Sequence, residues 1–263
     1  MIITDLSAHN FEQTKRLFVF GCSFTQYRWP TWADIIARNY PHLEYHNSAC
    51  SGAGNMYIFS QLNQYINRHQ PGPDDLVMIL WSSFYREDRY ITHGWKTPGN
   101  IYSQGDYNEE FVNKYCCPRG MTIRDLALID TATKMLEAAE FTAVQSLSVP
   151  YELQDSYSGK PLEEDDLHMQ EVYDLYDHLH ENMSMDLMSR FPNGWRMEYE
   201  YAQGDGEMFK DYHPSVQSYA EYVQDMGVTL SKHTLAWVMG EHLRMLAVTH
   251  VDQLVQTQPK WIV

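Results

Sequence analysis

Six consecutive apolar residues, Leu76-Val77-Met78-Ile79-Leu80-Trp81, follow the chain breaker Pro71-Gly72-Pro73-Asp74. A strand with one wet face alternates apolar and polar residues. A strand that is apolar at every position is buried on both faces, the situation of a central strand in a parallel sheet. Parallel strands need long crossovers, and the chain before this run supplies them. Leu17–Phe20 reads as a buried strand ending at Gly21, and Trp29, Trp32, Ile36 and Tyr40 recur at helical spacing, which predicts a helix over about Pro30–Asn39. Glu44–Asn47 is a weaker strand, and Ile58, Leu62 and Ile66 mark one face of a following helix. Strands alternating with helices imply right-handed crossovers and a doubly wound sheet.

The rhythm breaks between Phe84 and Gly120, a stretch rich in Tyr, Asn, Gly and Arg, and returns as a helix over Ile123–Ala139 and a fourth strand over Thr142–Val149. From Pro150 to about Asp205 the pattern is again irregular. Within it, Leu167, Val172, Leu175, Leu179 and Met183 suggest an amphipathic helix opened by Glu163-Glu164-Asp165-Asp166. Acidic residues at that end suit the positive pole of the helix dipole. Val216, Tyr219, Val223 and Met226 form a helical stripe that stops at Gly227, and Leu235, Met239, Leu243 and Leu246 suggest a last helix. The expectation is one α/β domain over 1–263, a three-layer α/β/α sandwich around a central parallel sheet. Insertions at about 84–122 and 150–205 would lie over the carboxyl edge, where loop growth is tolerated. No repeat, low-complexity tract or linker divides the chain.

Composition narrows the function. Nineteen Lys and Arg against 35 Asp and Glu give a formal charge of −16. A phosphate backbone is bound by clustered cations, so a nucleic-acid partner is not expected. The segment from Met1 to Arg16 has no apolar core of a secretory signal, and no apolar run is long enough to cross a bilayer. The expected compartment is therefore the cytoplasm, with no membrane partner. Cys22, Cys50, Cys116 and Cys117 lack metal-type spacing, and reduced thiols are the expectation there.

Two short segments carry the chemistry. Gly21-Cys22-Ser23-Phe24 follows the first strand, so Ser23 falls at the carboxyl end of the sheet, where open α/β sheets hold ligands. Asp211-Tyr212-His213-Pro214 lies far along the chain. A serine hydroxyl is a weak nucleophile until a base takes its proton, and the base must be held in one tautomer by a third group. In an extended segment, residues two apart point the same way, so Asp211 can orient His213 locally. The alternative assignment makes Asp211 a helix cap and His213 a surface residue.

These segments resemble the sequence blocks of the SGNH/GDSL hydrolase superfamily, whose fold is a flavodoxin-like α/β/α sandwich. Gly21-Cys22-Ser23-Phe24 is similar to the Gly-Asp-Ser-Leu block, with Cys22 at the Asp position. Asn47-Ser48-Ala49-Cys50-Ser51-Gly52 resembles the second block, an Asn followed five residues later by an oxyanion glycine. The resemblance implies Ser23 as nucleophile, with its own N–H and that of Gly52 as oxyanion donors, and Gly54 and Asn55 close by. The third block, Gly-x-Asn-Asp in the family, is replaced by Trp81-Ser82-Ser83-Phe84; Ser83 stands at or beside the Asn donor position, with Arg86 or Asn55 as replacements. The fourth block is Asp-x-His here instead of Asp-x-x-His, which leaves Asp205 as a second choice for the role of Asp211. The likeness covers about Leu17–Trp81 and Asp205–Met226.

The implied site set is Ser23, His213 and Asp211 for catalysis, with Gly52, Ser83 and Asn55 for the oxyanion or substrate. The reaction class is ester hydrolysis on a lipid, thioester or carbohydrate acyl ester. Tyr85, Tyr90, Trp95, Tyr102 and Tyr107 suggest an aromatic surface suited to sugar rings, which favours a small O-acyl group on a carbohydrate; the same residues would equally serve as the insertion's core. Neither a cofactor nor a metal is assigned: His178-Leu179-His180-Glu181 puts its histidines on different helix faces, and Gly204-Asp205-Gly206 is too short for a calcium loop. Two other classes stay open, an O-acyltransferase with the same triad and a non-catalytic binding or assembly module.

Overall fold

A computed structural model of the chain describes residues 1–102, 107–154, 166–190, 199–202, 208–250 and 253. Its centre is a four-stranded sheet, all parallel, in the order β2-β1-β3-β6, where β1 is Arg16–Phe20, β2 Glu44–Asn47, β3 Asp75–Trp81 and β6 Thr142–Leu147. Every residue of β3 is buried, and β1 and β6 flank it. The register is set at the amino end, where Arg16 pairs opposite Asp75 and its guanidinium grips that carboxylate through Nε at 2.9 Å and Nη2 at 2.5 Å.

The sheet separates two cores by the two-residue alternation of strand side chains. Leu17, Val19, Leu76, Met78, Leu80 and Val144 face one layer. Phe18, Phe20, Val77, Ile79, Trp81 and Ala143 face the other. Both sets are apolar because helices cover both sides. Each Val, Leu, Ile, Phe or Met among them contributes about 1.5–3 kcal/mol when fully buried. Helix α1 (Trp32–Asn39) packs on one face with the last two helices, and α2 (Asn55–His69) on the other with α4 (Pro118–Glu137). This is the three-layer α/β/α sandwich that the patterning predicts.

The first insertion folds as a hairpin, β4 (Arg89–Ile91) with β5 (Gly94–Lys96), followed by α3 (Glu109–Tyr115). In the second, a helix α5 (Asp166–Leu175) ends four residues short of Leu179, which lies instead in a 3-10 segment over Asp177–Asn182; Glu163, Glu164 and Asp165 lie outside the described residues. A short antiparallel pair, β7 (Tyr199–Ala202) and β8 (Met208–Asp211), precedes α6 (Val216–Asp225) and α7 (Lys232–Ala247). Helix α6 buries Val216, Tyr219 and Val223, as its stripe predicts. Helix α7 corrects its stripe: Leu235, Met239, Leu243 and Leu246 are exposed, and the buried face carries Thr234, Val238, Glu241 and Met245. Apolar periodicity located that helix without identifying its inner side. Among the described residues no helix is long and apolar enough to cross a membrane.

Candidate active site

The carboxyl ends of β1, β2 and β3 release three loops on one edge, and Ser23, Gly52 and Ser83 fall on them. After Phe20 the chain makes a tight turn in which Thr25 N–H and Gln26 N–H both donate to the Cys22 carbonyl, at 2.9 and 3.1 Å. The turn demands glycine at 21, because a Cβ there would meet Thr25 Oγ1 at 2.1 Å. Ser23 sits on this turn, largely buried. Its neighbour loop, after β2, is tied to it by Asn47, whose amide donates to Thr25 O at 3.2 Å and accepts from Ala49 N–H at 3.0 Å. Cys50 N–H donates to Gly21 O at 3.2 Å.

Gly52 is held at φ +77°, and a Cβ on it would lie 2.2 Å from the Thr97 carbonyl oxygen, so both backbone and space require glycine. The backbone N–H groups of Ser23 and Gly52 donate no hydrogen bond among the described residues. They are two unspent donors on adjacent loops.

The imidazole arrives from the other end of the chain. His213 Nδ1 lies 2.9 Å from Asp211 Oδ1, and His213 N–H donates to the same oxygen at 3.0 Å. The two-residue offset brings carboxylate and ring together across a short turn that begins where β8 ends, not along the extended segment that the sequence suggested. Asp211 is not the cap of α6; that role belongs to Ser215, whose hydroxyl accepts from Ser218 N–H at 3.0 Å. Asp205 lies outside the described residues.

Tyr27, which no sequence signal singles out, completes the cluster. Its hydroxyl donates to Asp211 Oδ2, and its ring stacks on the imidazole with centroids 3.7 Å apart and planes 18° from parallel. Phe24, beside Ser23, packs on the same imidazole at 5.1 Å, and Trp29 Nε1 donates to Pro214 O at 2.9 Å. The serine turn and the histidine segment thus meet. No hydrogen bond joins Ser23 Oγ to His213 among the described residues. Catalytic contacts often tighten only when substrate is bound. Burial pushes the Asp211 carboxyl up, but the bonds and charge of His213, the Tyr27 hydroxyl and the His213 N–H outweigh it and hold the group below the usual carboxylate range.

The third loop differs. Ser82 and Ser83 are buried, and Ser83 Oγ accepts from Arg86 Nε at 3.1 Å. Asn55 donates to Ser82 O at 3.2 Å and to Asp125 Oδ2 at 3.1 Å, and its Oδ1 accepts from Ser82 N–H at 2.8 Å. Both amide hydrogens of Asn55 are spent on these bonds, so its side chain has none left for an oxyanion. Asp125 also takes Arg124 Nε at 2.7 Å; burial nevertheless raises its pKa to about 6 against the pull of Arg124 and Asn55. Arg124 reaches on to Glu87 Oε2 at 2.8 Å and Arg86 O at 2.7 Å. At the position where the sequence resemblance implies one Asn donor, a largely buried polar network stands.

The aromatics divide. Tyr85 is fully buried, Tyr102 hydroxyl donates to Cys116 O at 2.9 Å, and Tyr107 hydroxyl donates to Glu87 O at 3.1 Å, so these three belong to the insertion's own packing. Tyr90 is 71% exposed, and Trp95 stands edge-on between it and Tyr57, 5.6 Å from each.

No protein-family model matches the chain, and no curated protein does. Several solved structures are similar to the chain. An acetylxylan esterase from Geobacillus stearothermophilus, solved as a catalytic mutant, is 13% identical, with a TM-score of 0.44 over 82% of this chain and 95% of that one. A lipase/acylhydrolase from Enterococcus faecalis is 13% identical, with a TM-score of 0.41 over 81% and 94%. A member of the lipolytic G-D-S-L family from Veillonella parvula is 16% identical, with a TM-score of 0.40 over 81% and 94%.

Proposed function

We propose that the chain is a divergent serine hydrolase of the SGNH/GDSL type that cleaves acyl esters. The observation that carries this reading is the imidazole of His213, bonded by Asp211, stacked on Tyr27 and packed against the residue next to Ser23. With Nδ1 engaged by Asp211, Nε2 is the nitrogen left to act as base. His213 takes the Ser23 proton as the hydroxyl oxygen attacks the acyl carbon. Negative charge develops on the former carbonyl oxygen, to which the Ser23 and Gly52 N–H groups donate. His213 then protonates the departing alkoxide, and water, deprotonated by the same nitrogen, releases the acid and frees Ser23. The exposed Tyr90–Trp95 edge favours a sugar as the alcohol part and a small acyl group as the other. The substrate is read as a small-molecule or carbohydrate acyl ester, and no cofactor is assigned.

A second reading is a non-catalytic binding module on the same fold. It is favoured by the third loop, where Asn55 has no donor left and the Ser83 hydroxyl is turned to Arg86. A fluorophosphonate probe separates the two, because labelling needs nucleophile, base and oxyanion donors together. Labelling at Ser23 and turnover of p-nitrophenyl acetate support the hydrolase; absence of both in folded wild type supports the binding module. Addition of a sugar acceptor tests whether the acyl group passes to an alcohol instead of water.

A further inference from the structure

The first insertion lies against the loop that carries Gly52, and its contacts fall on particular peptide groups. The Ser51–Gly52 peptide supplies the N–H assigned to the oxyanion. Its carbonyl, Ser51 O, accepts from Thr97 Oγ1 at 3.0 Å. In a trans peptide the N–H points away from the C=O, so the Thr97 hydroxyl fixes the direction of the Gly52 donor. The Ala53–Gly54 peptide is held at both poles: Ala53 O accepts from Arg86 Nη1 at 3.0 Å, and Gly54 N–H donates to Asp88 Oδ1 at 2.9 Å. The other oxygen of Asp88 accepts Tyr57 N–H at 2.9 Å, in the first turn of α2.

Arg86 and Asp88 are themselves buried, at 6% and 7% exposure, and Arg86 is pinned through its own carbonyl by Arg124. Gly52 cannot fix its own orientation, since glycine populates positive and negative φ with similar ease. Within the loop the backbone offers one bond, Ala53 N–H to Cys50 O at 3.0 Å.

We propose that Thr97, Arg86 and Asp88 are positioning residues that orient the Gly52 N–H toward the oxyanion, so that the first insertion is part of the catalytic apparatus. The inference rests on the serine-hydrolase reading. It also gives a physical sense to the altered third loop: the side chains there brace a backbone donor instead of adding one.

The test uses the full chain, p-nitrophenyl acetate, and kcat expressed per serine titrated by a fluorophosphonate, so that misfolded protein does not count. Thr97→Val keeps the shape of a side chain at the rim and removes the hydroxyl; kcat is expected to fall about 10-fold with KM within twofold, and Thr97→Ser to restore most of the loss. Arg86→Lys and Asp88→Asn, which retain charge or size, are expected to lower kcat by about 10²-fold at an unchanged pH midpoint, as small misplacements of catalytic groups do. Wild-type kcat per titrated serine in Thr97→Val and Arg86→Lys overturns the inference, as does a loss confined to KM or to the titratable fraction. Wild type that neither labels nor turns over ends the hydrolase reading itself, a different and separable result.

Discussion

The two sides of the sheet's carboxyl edge solve the same problem by different means. On the β1 side, each piece is set by short-range geometry, a turn just past the strand for Ser23 and a carboxylate two residues from its imidazole for Asp211 and His213, and the Phe24 and Tyr27 rings bring the two pieces together. On the β3 side, Asn55, Ser82, Ser83, Arg86, Arg124 and Asp125 form one largely buried network drawn from three separate stretches of chain. The first arrangement leaves N–H groups and a ring nitrogen unspent. The second spends both amide hydrogens of Asn55 and the Asp125 carboxylate on itself, with the Ser82 hydroxyl left as an unpartnered exception. Chemistry needs unsatisfied groups aimed at a vacant place, and a buried network needs the opposite, because an orphaned buried polar atom costs about 1–3 kcal/mol. On the proposed hydrolase reading, the β1 side reacts and the β3 side holds.

The strongest way to break that contrast is to remove the reacting groups. Ser23→Ala and His213→Ala are each expected to lower kcat for p-nitrophenyl acetate by about 10⁶, and the double variant by no more than either alone, as groups acting in one step do. Additive losses, or residual turnover within tenfold of wild type, would mean that the nucleophile lies elsewhere. Asp211→Asn comes next, at about 10⁴, because an amide no longer fixes the tautomer that leaves Nε2 unprotonated. Tyr27→Phe keeps the ring over the imidazole and loses only the bond to Asp211, so about 10-fold is expected. Steady-state kinetics across pH 5–9 separate the two, and equal losses would contradict the subordinate place given to Tyr27.

How much of this was legible depends on the same contrast. The strand Leu76–Trp81, the helix after Ser23 and the pairing of Asp211 with His213 follow from patterns a few residues long, where steric and periodic rules act locally. The stacking of Tyr27 on His213 spans 186 residues of sequence and leaves no trace in either segment. The capping of α2 by Asp88 likewise depends on where the insertion lands. Helix α7 shows a third case: Leu235, Met239, Leu243 and Leu246 marked a helix correctly, yet its inner face was chosen by neighbours that the local pattern does not encode. The aromatic residues of the first insertion were visible as a group, and only the fold divides Tyr90 and Trp95 from Tyr85, Tyr102 and Tyr107.

A pH experiment sharpens the claim that the β3 side is structural. Burial raises Asp125 from the ordinary carboxylate value to about 6. Between about pH 4 and 6 the native state then holds a proton that the unfolded chain has lost, so stability from this group falls as pH rises through that window and is level above it. The shift corresponds to roughly 2–3 kcal/mol. Asp125→Asn removes the titration while keeping an oxygen for the Asn55 amide. Urea unfolding at pH 4, 5, 6 and 7 is expected to show the variant gaining on wild type as pH rises, with kcat per titrated serine nearly unchanged. A difference independent of pH would place Asp125 among ordinary ionised carboxylates.

The smallest effect expected is the most informative about the third block. If Ser83 donated directly to the oxyanion, Ser83→Ala would lower kcat by about 10²–10³, the usual loss for one oxyanion donor. Its oxygen accepts from Arg86 Nε, which leaves the O–H hydrogen uncommitted; where the serine serves only to hold Arg86, removing it frees one guanidinium hydrogen while Nη1 keeps its bond to Ala53 O. The Gly52 loop then stays braced, and a loss under tenfold in kcat is expected, accompanied by a drop in unfolding stability of about 1 kcal/mol for the orphaned donor. A loss of a hundredfold or more at unchanged stability would move Ser83 from the network to the reacting side, and the division between the two sides of the edge would have to be redrawn through the loop after β3.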